Sequence, residues 1–290
     1  GADGKPRQLE IEAASLSTVL AFGLKREMLA AGTHVKVTAF GRLLDPDGAN
    51  YKGLSVTLPD GSMHYLENTA VPQFFKDAVA AQALAGKWVP ESSASFNEYM
   101  IAMTKARGVV VSEDRDAAVK GQAAVDDAGL AHASCTSLAK DAAIPFSIAA
   151  IYVLRTIEIG DKTVNINIDN DGVILKRVVH LDQTAHPANV TPGLLGHSIG
   201  HWEGQTLVID TTGFSPLSFP LGVQSVRKHM IERLALTDNH LQLKYEVTVD
   251  DPDYYPTPFH YSMLWNHRPD LAMSGVACDD QIARKFRTIK

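Results

Sequence analysis

Apolar and polar residues alternate along much of the second half of the chain, which is the pattern of β-strands with one buried face. Strands of this type are predicted around residues 164–169, 173–181, 197–211, 227–236 and 241–250, with a closing strand at 259–265. Tight turns join them, and Asn170-Asp171-Gly172 is the strongest of these turn signals. Successive hairpins with one apolar face close into a barrel or stack into a sandwich. We favour a large antiparallel β-meander barrel over residues 143–290.

The first half of the chain has a different pattern of apolar and polar residues. Residues 1–66 contain alternating stretches at 9–13 and 35–39, two short strands near 54–66, and a helical passage over 15–29. This combination predicts a small open barrel of the oligonucleotide/oligosaccharide-binding (OB) type. Residues 67–142 are rich in Ala, Asp, Lys and Gln and are interpreted as a helical connector. The fold prediction is therefore mainly β, in three parts: 1–66, 67–142 and 143–290.

Composition narrows the function classes. The 290 residues include 27 Lys+Arg and 33 Asp+Glu, a net charge of −6, which argues against a nucleic-acid-binding protein. The longest nearly apolar run, residues 145–154, is about half of the roughly twenty residues that a membrane-spanning helix needs. Phosphate-binding Gly-rich loops and the CxxC and HExxH motifs do not occur in the sequence. We expect a small-molecule partner and neither a cofactor nor a metal.

The segment GHSIGHWEGQTLVIDTTGF, residues 196–214, carries the most specific chemical signal. A hairpin centred on Glu203-Gly204 places His197 directly opposite Asp210 on one face, and the other face is apolar. A carboxylate beside an imidazole orients the ring and raises its basicity. The pair is either a general base or a cross-strand hydrogen bond without catalytic function. His197 and His201 lie about 13 Å apart along a strand, which is too far for one metal ion.

Further candidates surround this hairpin. His180 and His186 could reach the mouth of a barrel, where ligands commonly bind, or be solvated loop histidines. Arg177 could bind an anionic ligand or pair with a carboxylate. Three aromatic side chains could line a pocket for an apolar ligand or pack in the core. These are Trp202, Tyr245 and Trp265.

Three functions are compatible with these residues. The first is a protein that binds a small, partly apolar ligand in the C-terminal barrel. The second is a cofactor-independent lyase, isomerase or hydrolase, with His197 as a general base oriented by Asp210, and with Arg177 or His180 stabilising negative charge. The third is a structural or assembly subunit that self-associates through exposed strand edges.

Several segments resemble a family of exported bacterial proteins of unknown function, whose signature is close to GHSxGxWEGDTLVVDTxGF. The matching segments are PFSI (145–148), VVHLDQTAHP (178–187), GHSIGHWEGQTLVIDTTGF (196–214), IERL (231–234) and EVTVDDP (246–252). The front of the chain resembles a small β domain that is often fused ahead of this family. The resemblance implies no activity. It does imply a periplasmic or secreted location and a chain that begins inside the front domain.

The resemblance also bears on the two cysteines, Cys135 and Cys278. Their number alone leaves two free thiols and one long-range disulfide equally open. The family pattern favours the disulfide. The chain departs from that pattern at His201, where the family has Arg, and at Gln205, where it has Asp. Gln224-Ser225 stands where many members have Pro-His-Ser, so any chemistry that uses that histidine is altered here.

Overall fold

A computed structural model describes the β-rich parts of the chain. The described residues are 8–13, 19–20, 22–41, 50–66, 78–91, 98–99, 102–103, 105–106, 144, 154–170, 173–216, 224–271 and 273. The chain divides into two compact units, Gly1–Lys76 and Asp77–Lys290. Cys135 and Cys278 lie outside the described residues, and the disulfide between them stays a prediction. The predicted boundaries at residues 66 and 142 also stay predictions.

The front unit contains four strands. They are β1 (Glu10–Glu12), β2 (Lys36–Gly41), β3 (Asn50–Thr57) and β4 (Met63–Tyr65). Strand β3 pairs with all three others, antiparallel to β2 and β4 and parallel to β1. A small core lies against this sheet, and it includes Val19, Leu24, Val56, Leu58 and Leu66. In the described residues the four strands form an open sheet, where the sequence predicts an OB-like open barrel.

The second unit contains a closed barrel of nine strands. They are β5 (Gly86–Pro90), β6 (Arg155–Ile159), β7 (Thr163–Asn170), β8 (Val173–His180), β9 (His197–Glu203), β10 (Thr206–Thr212), β11 (His229–Leu236), β12 (Gln242–Asp250) and β13 (Phe259–His267). The ring order is β10-β11-β12-β13-β5-β6-β7-β8-β9. This confirms a mainly β protein with a larger barrel.

Strand β5 comes from the segment that the sequence assigns to the helical connector. It pairs with β13 on one side and with β6 on the other, so it is a full member of the ring. Helical backbone does occur nearby, at Tyr99 and Met103, and both of these side chains are buried in the barrel core. The 67–142 segment therefore supplies both a barrel strand and residues that pack against the barrel.

One strand pair departs from the predicted antiparallel meander. Strands β8 and β9 run parallel and share only two residue pairs, Val179 with Ser198 and His180 with Ile199. All other neighbouring strands in the ring are antiparallel. Because β8 and β9 run in the same direction, residues 181–196 must return along the outside of the barrel between them. We call this segment the return loop.

Buried polar side chains join the strands around this short pairing. Arg177 of β8 points into the barrel and donates from Nε to Ser198 Oγ of β9, at 3.1 Å, and from Nη2 to Thr211 Oγ1 of β10, at 2.7 Å. Its guanidinium also makes a two-pronged ion pair with Glu232 of β11. The Tyr245 hydroxyl donates to Glu232 Oε1 at 2.9 Å. Burial lowers the pKa of Arg177, but the Glu232 carboxylate raises it above the ordinary value. Arg177 thus connects four neighbouring strands.

Candidate active site

Four histidines and one aspartate meet on the outer wall of the barrel. Side chains alternate between the two faces of a strand, and inward residues such as Ile209 and Thr211 leave Asp210 on the outer face of β10. By the same alternation, outward side chains at the end of β8 and at the starts of β9 and β11 lie next to it. A fifth side chain comes from the return loop. We call this set the histidine cluster: His180, His186, His197, Asp210 and His229.

Asp210 is the centre of the histidine cluster. Its Oδ1 atom lies 3.0 Å from His186 Nε2 and 2.9 Å from His229 Nε2. A carboxylate can only accept hydrogen bonds, so both imidazoles donate from Nε2. One carboxylate oxygen thereby holds a residue of the return loop and a residue of β11. Asp210 fixes both the tautomer and the orientation of these two rings.

His186 in turn forms a hydrogen bond with His197, which sets the orientation of the His197 ring. The two Nδ1 atoms lie 2.9 Å apart, so one must donate and the other must accept. Neutral His186 already carries its proton on Nε2, which leaves a lone pair on its Nδ1. His197 therefore donates from Nδ1 and carries a lone pair on Nε2. In the described part of the chain, His197 Nε2 has no hydrogen-bond partner. The arrangement Asp210–His186–His197 ends in an imidazole nitrogen that is ready to accept a proton.

The surroundings of His197 keep it neutral. Burial lowers the pKa of His197, and the neighbouring imidazoles of His186 and His180 lower it further. The His180 ring stacks on the His197 ring, with 5.2 Å between ring centroids and 14° between planes. The His186 side chain is 19% exposed and the His180 side chain 32% exposed, so the cluster is partly covered and still open to small solutes.

Close packing and backbone hydrogen bonds hold the return loop over this wall. Val190 packs on Gly213, where a Cβ atom would lie 2.5 Å from Val190 Cγ1. Gly213 also has φ of +70°, a conformation that favours glycine. The Gly193 amide donates to the Gly213 carbonyl at 3.0 Å, and the Ser215 amide donates to the Gly193 carbonyl at 2.9 Å. The second half of the loop is thus docked independently of His186.

Two buried polar side chains support the end of this loop. Gln224 donates from Nε2 to the Leu194 carbonyl at 3.1 Å and to the Ser215 carbonyl at 2.8 Å. Lys228 donates to Gln224 Oε1 at 3.1 Å, and its ammonium lies 4.4 Å from the centre of the Phe214 ring. Burial lowers the pKa of Lys228 to about 7. Gln224 therefore supports the loop rather than forming part of the histidine cluster.

The hairpin between β9 and β10 corrects one prediction. His197 pairs with Thr212, and Asp210 pairs with Ile199, so the predicted direct pairing of His197 with Asp210 is wrong. The turn residues are Gly204 and Gln205 instead of Glu203 and Gly204. Gly204 has φ of +61° at the first central position, where glycine relieves the strain of a tight turn. The register shifts by two residues, which keeps His197 and Asp210 on the same face, and His186 bridges them.

The structure separates the other predicted site residues from this cluster. Arg177, Tyr245 and Trp265 are buried inside the barrel. Tyr245 and Trp265 stack with 4.9 Å between ring centroids, and Arg177 pairs with Glu232. Trp202 is 41% exposed near the end of β9. Their role in ligand binding stays a prediction, whereas His180, His186, His197 and Asp210 come together.

Sequence reasoning missed His229. It lies at the start of the β11 strand HMIERLAL, in which Met230, Glu232 and Leu234 are buried and point inward. That alternation places His229 on the outer face. The alternation of apolar and polar residues in the predicted strand indicates that His229 faces outward. Only the β10–β11 register shows that it lies next to Asp210.

Within the described residues, no group of three or more His, Cys, Asp or Glu side chains is arranged to hold a metal ion. Among the same residues, no helix has the length and apolar character needed to cross a membrane. Comparison with protein-family models and with curated proteins finds no match. The family resemblance, the export and the disulfide therefore stay predictions.

Proposed function

We propose that this protein is an enzyme that removes a proton from a small molecule, with His197 as the general base. The observation that carries the proposal is the hydrogen-bonded series Asp210–His186–His197, which leaves a lone pair on His197 Nε2. General bases of this kind are imidazoles oriented by a second group. Here a second imidazole stands between the base and the carboxylate.

The series also stabilises the base after it has taken the proton. When His197 becomes an imidazolium, its Nδ1–H donates more strongly to His186 Nδ1. Polarised His186 in turn donates more strongly from Nε2 to Asp210. Positive charge on His197 is thus balanced by the carboxylate without a proton leaving either histidine. The lowered pKa of His197 keeps the ring neutral, and so able to act as a base, before the substrate arrives.

Ligand binding inside the barrel is the weaker hypothesis, because the polar groups there are already hydrogen-bonded to one another. The Arg177 guanidinium and the Tyr245 hydroxyl, which could contact a ligand, already donate hydrogen bonds to Glu232. The Tyr245 ring face is covered by Trp265. Side chains that bind each other must first separate before they bind a ligand, and this costs free energy. The outer wall already presents a free nitrogen.

The tautomer of His197 tests the proposal without a known substrate. Long-range ¹H–¹⁵N correlation spectra of the ¹⁵N-labelled full chain distinguish the two tautomers. We expect neutral His197 to be protonated on Nδ1 and neutral His186 on Nε2. Protonation of His197 on Nε2 would contradict the proposal, because the lone pair would then face His186.

Acylation by diethyl pyrocarbonate provides a second measurement, since this reagent attacks unprotonated imidazole nitrogens. We expect fast modification of His197, located by peptide mass spectrometry, and a rate at least about tenfold lower in Asp210→Asn. His201 is a matched control on the same outer face, where its ring lies 3.3 Å from Glu203 Oε1 and no bond to Asp210 is described. Its modification rate should not change in Asp210→Asn. An equal rate for His197 in both proteins would show that Asp210 does not activate it.

A further inference from the structure

Hydrogen bonds set the direction of the Asp210 carboxylate. The Asp210 side chain is 35% exposed, and the residues directly opposite it on β9 and β11 are Ile199 and Ile231, whose side chains cannot donate a hydrogen bond. A partly exposed side chain without a hydrogen-bond partner exchanges between staggered rotamers. Within the described residues, the donors that hold Asp210 in one direction are the imidazoles of His186 and His229, both bonded to Oδ1.

These two donors differ in how firmly their own backbone is held. His229 is the first residue of β11, which pairs with β12 over eight residue pairs and also pairs with β10. His186 belongs to the return loop, and in the described part of the chain residues 182–189 make no backbone hydrogen bond to a barrel strand. A group on a strand is held more precisely than a group on a loop. His229 therefore ties the Asp210 carboxylate to the barrel framework, and His186 binds to a carboxylate whose direction is already set.

We propose that His229 is a positioning residue that directs Asp210 Oδ1 toward His186 and thereby keeps the lone pair on His197 Nε2. The inference rests on the proposed function of His197 as a general base. It adds a member from strand β11 to the hydrogen-bonded series, which becomes His229–Asp210–His186–His197. His229 acts through Asp210 and His186.

The hydrogen bonds at Asp210 are compatible with this role. Oδ1 has two lone pairs, so it accepts from His186 and His229 at the same time. The two nitrogen–oxygen distances, 3.0 and 2.9 Å, are those of ordinary hydrogen bonds. Without the bond from His229, Asp210 populates rotamers in which Oδ1 does not face His186. In those molecules nothing holds the His186 proton on Nε2, and His197 loses the acceptor that fixes its own tautomer.

The tautomer of His229 is the first test, and it needs no variant. Long-range ¹H–¹⁵N correlation spectra of the ¹⁵N-labelled full chain should show neutral His229 protonated on Nε2, the nitrogen that faces Asp210. Protonation of neutral His229 on Nδ1 would overturn the inference, because Nε2 could then not donate to the carboxylate. The proposed function is tested separately, by the tautomers of His186 and His197.

Substitution of His229 is the second test, with the rate at which diethyl pyrocarbonate modifies His197 as the readout. His229→Leu removes the donor, whereas His229→Gln keeps an amide N–H donor for Asp210. A hydrogen bond to a charged group is typically worth about tenfold or more in a population, so the rate should fall at least about threefold in His229→Leu. The rate in His229→Gln should stay closer to wild type. The Nδ1-protonated tautomer of His197 should decrease in the same order.

His260→Leu is the matched control, because exposed His260 of β13 lies 2.9 Å from Thr248 Oγ1 and belongs to no bond of the series. It should leave the His197 rate unchanged, and melting temperatures show that each variant is folded. A wild-type rate in His229→Leu, or equal losses in His229→Leu and His229→Gln, overturns this inference alone if Asp210→Asn still slows His197. A His197 rate that is also unchanged in Asp210→Asn overturns the proposed function as well.

Discussion

Replacement of Arg177 by Met should strongly destabilise the barrel. Arg177 is buried and makes hydrogen bonds to Ser198, Thr211 and Glu232. The substitution leaves the fully buried Glu232 carboxylate with the Tyr245 hydroxyl as its remaining partner from the Arg177 network. Removing one member of a buried ion pair costs about 3–5 kcal/mol of unfolding free energy. This is a large share of the roughly 5–15 kcal/mol that stabilises a typical domain.

Urea unfolding followed by tryptophan fluorescence measures this loss in the relevant unit. All three tryptophans, Trp88, Trp202 and Trp265, belong to Asp77–Lys290, so the signal reports on the barrel unit. With an m-value of about 2 kcal/mol per molar urea, the midpoint should fall by about 2 M. The double substitution Arg177→Met with Glu232→Met should recover at least about 2 kcal/mol, because no unpaired charge stays buried.

The exposed pair of Arg233 and Glu203 is the matched control. Its Nη2–Oε2 distance is 2.7 Å, but the Arg233 side chain is 42% exposed. Arg233→Met should therefore change the unfolding free energy far less than Arg177→Met does, because an exposed ion pair stays solvated. A comparable loss in Arg177→Met and Arg233→Met would refute the reasoning. So would a double variant that is as unstable as the single one.

Two further predictions concern the support of the return loop. Lys228 has a pKa of about 7 in the folded protein, below its ordinary value of 10.5, so the unfolded chain binds more protons between these values and stability rises with pH. This stability is lost as the pH falls from about 10.5 to about 7, and Lys228→Met should remove the corresponding slope of about 1.4 kcal/mol per pH unit in urea titrations. Gly213→Ala introduces both an unfavourable φ and a clash with Val190, and it should lower the melting temperature more than Gly204→Ala, where φ is also positive but no atom lies within 4 Å. Equal melting temperatures for the two alanine variants would contradict close packing of the loop.

Period-two alternation predicted most strands of the barrel because a side chain in a strand faces either the core or solvent. It did not predict β5, since GKWVP is short and follows an alanine-rich segment that resembles a helix. The ring order and the parallel pairing of β8 with β9 depend on contacts between residues that are distant in sequence. Alternation within single strands contains no information about such contacts.

The histidine cluster also depends on contacts that alternation within single strands does not predict. Alternation correctly placed His197 and Asp210 on one face, although the predicted turn was shifted by one residue. A one-residue error in a turn moves the register by two and preserves the faces of both strands. The bridging role of His186 was not predictable, because no periodicity determines where a loop residue of 181–196 lies. His229 needed the β10–β11 register.

An odd ring of strands cannot alternate in direction all the way round. With nine strands, at least one neighbouring pair must run the same way, and here it is β8 with β9. A tight hairpin cannot join such a pair, so the chain has to cross back over the wall. An eight- or ten-stranded ring built only from hairpins would have no segment at this place. The odd number of strands therefore requires the return loop, and this loop places His186 next to Asp210.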